Sequence, residues 1–120
     1  MAILPVQKPV LGASGVTLAF TSATSAGDSF PNTGVEFVHV VNTGSVAKSI
    51  TFDSPGTCSF GATAAANHDQ VLALPPVASA PDNRKTLGPF PTTRFNDGNN
   101  RVQIAYDDAS GVTLAVQSSH

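Results

Sequence analysis

The chain has 120 residues, which suits one domain that can bury about two-thirds of its unfolded surface without a metal or a disulfide. It carries six Lys and Arg against eight Asp and Glu, and only 12% of its residues are charged. The basic residues are scattered, which argues against nucleic-acid binding, because such binders concentrate positive charge on one face. The single cysteine cannot form an internal disulfide, which favours a reducing compartment. The sequence begins with no secretory signal pattern and contains no membrane-spanning apolar run, so we expect no membrane partner.

The N-terminal segment differs in composition from the rest of the chain. Residues 1–14 contain two prolines, a glycine and isolated apolar side chains, which predicts an extended arm ahead of a single β domain over residues 15–120. Such an arm frays unless it docks on its own domain or on a neighbour. If it binds another protein, its candidate anchors are the apolar side chains Ile3, Leu4, Val6, Val10 and Leu11.

Short segments of alternating apolar and polar residues follow, separated by residues that favour turns, which is the pattern of an all-β fold. Strands are predicted at 16–21, 35–42, 48–53, 70–74, 86–90, 101–106 and 112–117. Loops or turns are predicted at 27–34, 75–83 and 96–100. The stretch 57–67 is ambiguous and allows a helical turn at 62–66. The expected fold is a single β-sandwich or jelly-roll-like barrel of about seven or eight short antiparallel strands.

Two of these strand pairs have turn chemistry typical of β-hairpins. Both faces of 35–42 are largely apolar, as in a central strand, and the turn at 42–44 leads the chain towards 48–53. The segment 107–111 joins the last two predicted strands in the same way. We therefore predict one hairpin from each pair.

The titratable residues match no catalytic or metal-binding pattern. His39 lies among valines and is interpreted as a satisfied core or interface histidine. His68 beside Asp69 could form half of a catalytic dyad, but no nucleophile elbow accompanies them. Cys58 has no basic neighbour to lower its pKa, and histidines at 39, 68 and 120 fit no zinc motif. We expect no catalytic residue, no metal and no cofactor, and therefore no enzyme.

The proline-rich loop at 75–83 is a second candidate binding segment. Long loops on a rigid β scaffold often carry binding sites. The candidate contact residues are Pro75, Pro76, Val77 and Pro81. For this loop and for the arm, the alternative is a plain surface segment packed on its own domain.

The order of several short segments resembles the capsid decoration (cement) proteins of tailed bacteriophages, of β-sandwich type. The segments are GDSFPNTG (27–34), FVHV (37–40), NTG (42–44), SITFDSPG (49–56), LGPFP (87–91), FND (95–97), VQIAY (102–106) and GVTLAV (111–116). The resemblance implies a virion structural protein, assembled in the host bacterial cytoplasm, that binds the major capsid protein on the outer shell surface. It also implies a homo-oligomer, with a trimer favoured, and brings no catalytic residues.

Two alternatives to the decoration function stay open at this point. One is a tail, baseplate or fibre module of a phage virion. The other is a carbohydrate-binding β-sandwich, which needs an exposed row of aromatic side chains. The candidates for that row are Phe90, Phe95 and Tyr106.

Overall fold

The computed structural model describes residues 2–8, 17–55 and 69–119. Strands dominate these residues, with a single turn of 3-10 helix at Val77–Ser79 and a short helix, α1, at Thr92–Phe95. The strands are β1 (Ala2–Ile3), β2 (Val6–Gln7), β3 (Thr21–Ser22), β4 (Asp28–Pro31), β5 (Glu36–Asn42), β6 (Lys48–Phe52), β7 (Gln70–Leu74), β8 (Arg84–Leu87), β9 (Arg101–Tyr106) and β10 (Val112–Ser118).

The strands form two sheets. The first has the order β1-β4-β9-β6-β7, and the second has the order β2-β10-β5-β8, with β3 also paired to β10. The expected all-β fold is confirmed. The sheets are mixed rather than purely antiparallel, because β1 runs parallel to β4 and β2 runs parallel to β10.

A single apolar core contains side chains from both sheets. Phe30 and Phe52 of the first sheet and Val38 and Leu114 of the second are fully buried in it. Phe90, from the segment after β8, packs among the other aromatic rings, with centroid distances of 5.6 Å to Phe30, 5.1 Å to Phe52 and 5.2 Å to Phe95. Edge-to-face and tilted contacts of this kind add to the gain from burial.

Among the strands that the structure describes, the longest pairing joins β5 to β10. It runs from Val112 opposite Asn42 to Ser118 opposite Glu36. The strand β5 agrees with its prediction, but its core face consists of Glu36, Val38, Val40 and Asn42, while the alternate residues are only half-buried. The buried face therefore has a polar residue at each end, and both of these residues organise loops.

Both predicted hairpins are wrong. Strand β5 belongs to the second sheet and β6 to the first, and the same change of sheet separates β9 from β10. The turn residues reverse the chain as predicted, but each reversal carries it across the core to the opposite sheet. Adjacent strands of the sequence are therefore not hydrogen-bonded neighbours at these two places.

The predicted loop at 27–34 is also wrong, because it contains β4, an internal strand of the first sheet. The strand was missed because it starts with two polar residues, Asp28 and Ser29, which are fully buried here. Gly27 precedes it with φ +98°, and a Cβ there would lie 2.8 Å from the carbonyl oxygen of Ile104. Only glycine allows this close approach of β4 to β9 without strain.

The remaining strand predictions differ in accuracy. Those at 48–53, 70–74, 101–106 and 112–117 are confirmed within one residue at each end. The strand predicted at 86–90 is instead β8. Of the strand predicted at 16–21, residues 17–20 lie outside any strand and Thr21 begins β3, while Val16 lies outside the described residues. The helix α1 was not predicted. The ambiguous stretch 57–67, Cys58, His68, His120 and the predicted boundary between residues 14 and 15 lie outside the described residues.

The first residues of the predicted arm connect the two sheets. Strand β1 pairs with β4 of the first sheet and β2 pairs with β10 of the second. Between them, Leu4 is 2% exposed in the core and its backbone N–H donates to the carbonyl of Ser29 at 2.7 Å. We call residues 2–7 the N-terminal clasp, because this segment docks on its own domain and holds both sheets.

Replacing Leu4 by alanine tests the anchoring of the clasp. We expect L4A to lower the free energy of unfolding by about 2–4 kcal/mol, because it leaves a cavity in the core. The neighbouring Ile3 is 54% exposed, so I3A serves as the matched control and is expected to cost less than about 1 kcal/mol. Urea unfolding of both variants measures this difference, and equal small losses would contradict the packing of the clasp.

Candidate functional site

An apolar groove lies beside the N-terminal clasp. It has a volume of about 550 Å³, and most of its lining is apolar, with polar contributions from Lys8, Thr33, Glu36 and Ser118. The apolar lining residues are Ile3, Leu4, Pro5, Val6, Pro31 and Val35. The volume lies within the range of sites that hold ligands or peptide side chains. With Ile3 more than half exposed, the groove offers an apolar surface to a second molecule.

The wall of the groove at 31–35 is fixed by two buried polar side chains. The carboxylate of Glu36 accepts hydrogen bonds from the backbone N–H and the hydroxyl of Thr33, at 2.7 and 2.8 Å. The amide of Asn32 donates to the carbonyl of Phe90 at 2.9 Å and to Oδ1 of Asn96 at 2.7 Å. Because these groups are satisfied within the chain, the groove has a defined shape before any partner binds.

A second apolar surface lies at the opposite end of β5. Val46, in the loop after β5, is 64% exposed, and Val77, in the loop after β7, is 45% exposed. The two loops touch, because the backbone N–H of Val77 donates to the carbonyl of Gly44 at 2.9 Å. We call loops 43–47 and 75–83 the loop platform.

The buried side chain of Asn42 connects the two loops of the loop platform. Its side-chain amide lies within hydrogen-bond distance of the carbonyls of Val46, Leu74 and Pro75, at 2.8, 3.3 and 3.2 Å. Its Oδ1 accepts from the N–H of Gly44 at 2.9 Å. Its own carbonyl accepts from the amide of Asn83 at 2.9 Å. One fully buried side chain therefore fixes both loops. The only local sign of this role in the sequence is the turn predicted at 42–44.

An ion pair borders the loop platform. Lys48 is almost fully buried, and its Nζ lies 2.7 Å from Oδ2 of Asp108, whose own side chain is 59% exposed. The hydrogen bond from Lys48 lowers the pKa of Asp108 to about 2. The pair ties the connection between β9 and β10 to the start of β6.

The predicted binding residues divide between surface and core. In the arm, Ile3 is exposed and Val6 is half-buried, Leu4 is a core residue, and Val10 and Leu11 lie outside the described residues. In the loop, Val77 and Pro81 are exposed, whereas Pro75 and Pro76 are half-buried. The sequence prediction did not include Val46. The only sign of an exposed apolar residue there is that it is an isolated valine within a turn segment.

The aromatic row needed for carbohydrate binding does not form. Phe90 and Phe95 are 3% and 4% exposed and pack in the core. Tyr106 is half-buried, and its hydroxyl donates to Oδ2 of Asp28 at 2.6 Å. Phe90 and Phe95 therefore present no face on which a sugar could stack, and the three residues do not form an exposed row.

Two neighbouring carboxyl groups line a cleft of about 300 Å³ on the first sheet. Burial, followed by the charge of the adjacent Asp69, raises the pKa of Asp53. Asp69 also accepts the backbone N–H of Ser54 at 2.7 Å. Within residues 2–8, 17–55 and 69–119, no group of three His, Cys, Asp or Glu side chains is placed to hold a metal ion.

His39 forms two hydrogen bonds within the second sheet. Its Nδ1 lies 3.0 Å from the hydroxyl of Thr86 on β8, and its Nε2 lies 2.9 Å from Oε1 of Gln117 on β10. The interpretation as a satisfied histidine agrees with these contacts.

Comparison with protein-family models, with curated proteins and with solved structures gave no match to this chain. In the described part of the chain, no helix has the length and apolar character needed to cross a membrane.

Replacing Asn42 by alanine tests the support of the loop platform. We expect N42A to lower the free energy of unfolding by about 2–4 kcal/mol, since it removes the shared donor of three carbonyls. It should also speed hydrogen exchange at the Gly44 amide, which donates to Oδ1 of Asn42. The exposed Asn99 provides the matched control, N99A, with an expected change below about 0.5 kcal/mol. Unchanged exchange at Gly44 would contradict the assignment.

Tyr106 is the only tyrosine, and there is no tryptophan, so tyrosinate absorbance reports on this one residue. Burial, together with the hydrogen bond to Asp28, raises the pKa of Tyr106 far above 10. Because the folded state keeps this proton, stability should fall as pH rises above about 10. We expect tyrosinate to appear only when the chain unfolds, and D28N to lower the Tyr106 pKa. An ordinary titration near pH 10 in the folded protein would contradict the buried pair.

Proposed function

We propose that this protein is a virion structural protein that binds the outer surface of a phage capsid and stabilises the shell. The observation that carries the proposal is the presence of two separate, preformed apolar surfaces on one small rigid domain. They are the groove beside the N-terminal clasp and the loop platform. The identity of the partner, the major capsid protein, comes from the resemblance in the sequence.

The positions of the two surfaces support a bridging role. Glu36 and Asn42 stand at opposite ends of β5, a strand of seven residues, so the two surfaces are about 20 Å apart. A domain of this kind can contact two neighbouring shell subunits at once. A ligand that binds only the assembled shell stabilises it by mass action, and many identical weak contacts add to a large effect.

The composition of the surfaces fits protein binding better than catalysis. Ile3, Val46 and Val77 are aliphatic side chains exposed by 54%, 64% and 45%. The buried polar side chains at these surfaces, Glu36 and Asn42, have hydrogen-bond partners inside the chain. Aliphatic side chains above a rigid polar support provide contact area without a reactive group.

The copy number of the protein in purified particles of the source phage tests the proposal. Peptide mass spectrometry against the major capsid protein should give a ratio of about one, because a decoration protein repeats with the symmetry of the shell. A ratio of a few per cent would instead identify a tail, baseplate or fibre component. Absence from the particle would contradict any virion role.

Charged variants at the two surfaces test whether these surfaces make the contact. We expect I3K in the groove and V46K on the loop platform each to weaken binding to shells stripped of the protein by about tenfold or more. Thr93, which is exposed on α1 and is not among the lining residues of the groove or the residues of the loop platform, gives the matched control T93K. Binding that is unchanged in both I3K and V46K would contradict the assignment of the surfaces while leaving the copy-number result standing.

A further inference from the structure

We propose that β7 is a dimerisation edge, which pairs antiparallel with β7 of a second copy of this chain about a two-fold axis at Leu72. This inference does not depend on the proposed function. It also differs from the trimer that the sequence resemblance implies, so a measured mass distinguishes the two.

Within residues 2–8, 17–55 and 69–119, the backbone of β7 pairs with β6 on one side and with no strand on the other. The carbonyl of Ser49 on β6 accepts a hydrogen bond from the backbone N–H of Asp107, and the N–H of Asp53, directly after β6, donates to the carbonyl of Gln103. Alternate residues of this segment, starting from Ser49, therefore direct their backbone N–H and C=O groups towards β9. The intervening residues of β6 therefore face β7, and they stand opposite Gln70, Leu72 and Leu74. The N–H and C=O groups of one residue in an antiparallel strand point to the same side. Val71 and Ala73 consequently present theirs to the open side.

A side-chain contact agrees with the outward direction of the backbone groups of Val71. The carbonyl of Val71 receives a weak hydrogen bond, 3.4 Å long, from the exposed side-chain amide of the adjacent Gln70. The side chain of Val71 is 56% exposed, and Ala73 is exposed as well. The edge is therefore accessible at the two residues whose backbone groups point outward.

The other terminal strands of the two sheets carry features that oppose pairing. Strand β8 begins with Arg84 and Lys85, and the other terminal strands, β1, β2 and β3, are only two residues long. Charges and very short strands are usual protections of a sheet edge. Strand β7 has five residues, QVLAL, with no charge and no proline within the strand; Asp69 precedes it and Pro75 follows it.

The strand β7 is complementary to itself. With Leu72 on the axis, Val71 of one copy stands opposite Ala73 of the other, and the reverse pair forms on the other side of the axis. Each pair exchanges two backbone hydrogen bonds, and the side chains brought together are uncharged and differ in size. A two-fold contact of this kind closes on itself. Since five residues bury little area, we expect a weak dimer, with a Kd between about 10 μM and 1 mM.

Sedimentation equilibrium over a concentration series tests the dimer. The parent chain should shift from monomer to dimer, whereas the double variants V71K/A73K and V71E/A73E should each remain monomeric, because like charges then stand opposite one another. An equimolar mixture of the two variants should associate again, which a misfolded variant cannot do. The control T93K should dimerise as the parent does.

Several outcomes would overturn the inference. These are a parent chain that is monomeric at about 1 mM, a trimeric mass, self-association of V71K/A73K equal to that of the parent, or a variant mixture that stays monomeric. None of them bears on binding to a shell through the groove or the loop platform. Failure of the dimer and failure of the proposed function are thus separate results.

Discussion

The pairing of β5 with β10 is the constraint on which the rest of the structure depends. It extends over the full length of both strands, from Asn42 opposite Val112 to Glu36 opposite Ser118. Strands β2 and β3 both pair with the edge of β10 that faces away from β5, and β8 pairs with the other edge of β5. The pair of β5 and β10 therefore positions every strand of the second sheet. The two ends of β5 then determine the two candidate surfaces. Glu36 fixes the turn that forms one wall of the groove, and Asn42 fixes both loops of the loop platform. The same strand thus positions the second sheet and both apolar surfaces.

Buried polar groups determine which loops meet at each end of this small domain. Asp28, Glu36, Asn42 and Lys48 all lie at or near the ends of core-facing strand surfaces, where a side chain can still find a partner in a loop. Removing such a partner leaves a buried donor or acceptor unsatisfied, which costs more than the bond itself contributes. The apolar core can tolerate small shifts of one sheet against the other, but these bonds cannot. They therefore specify which loops meet at each end of the domain.

The sequence predicts the strands better than their arrangement. Alternation identified β5, β6, β7, β9 and β10, because each buries one apolar face. It missed β4, where Asp28 and Ser29 are buried for reasons of tertiary contact that no local pattern contains. Turn chemistry at 42–44 and 107–111 located two chain reversals, but a turn does not say whether the next strand stays in the same sheet. At the candidate surfaces, apolar composition identified Ile3 and Val77. Val46 and the supporting role of Asn42 depend on contacts over long sequence distances, and Leu4 could not be separated from Ile3 because both are apolar residues of one proline-rich segment.

In the proposed function, the protein binds through the two ends of β5, and the sheets act as a spacer between them. The most direct test of this proposal is an image reconstruction of the shell of a phage proposed to carry the protein, at a resolution that locates individual strands. We expect the domain on the outer surface, with the groove beside Ile3 against one capsid subunit and the loop platform of Val46 and Val77 against another. A shell that lacks the domain, or one that holds it through the sheet faces with both apolar surfaces turned to solvent, would contradict the account.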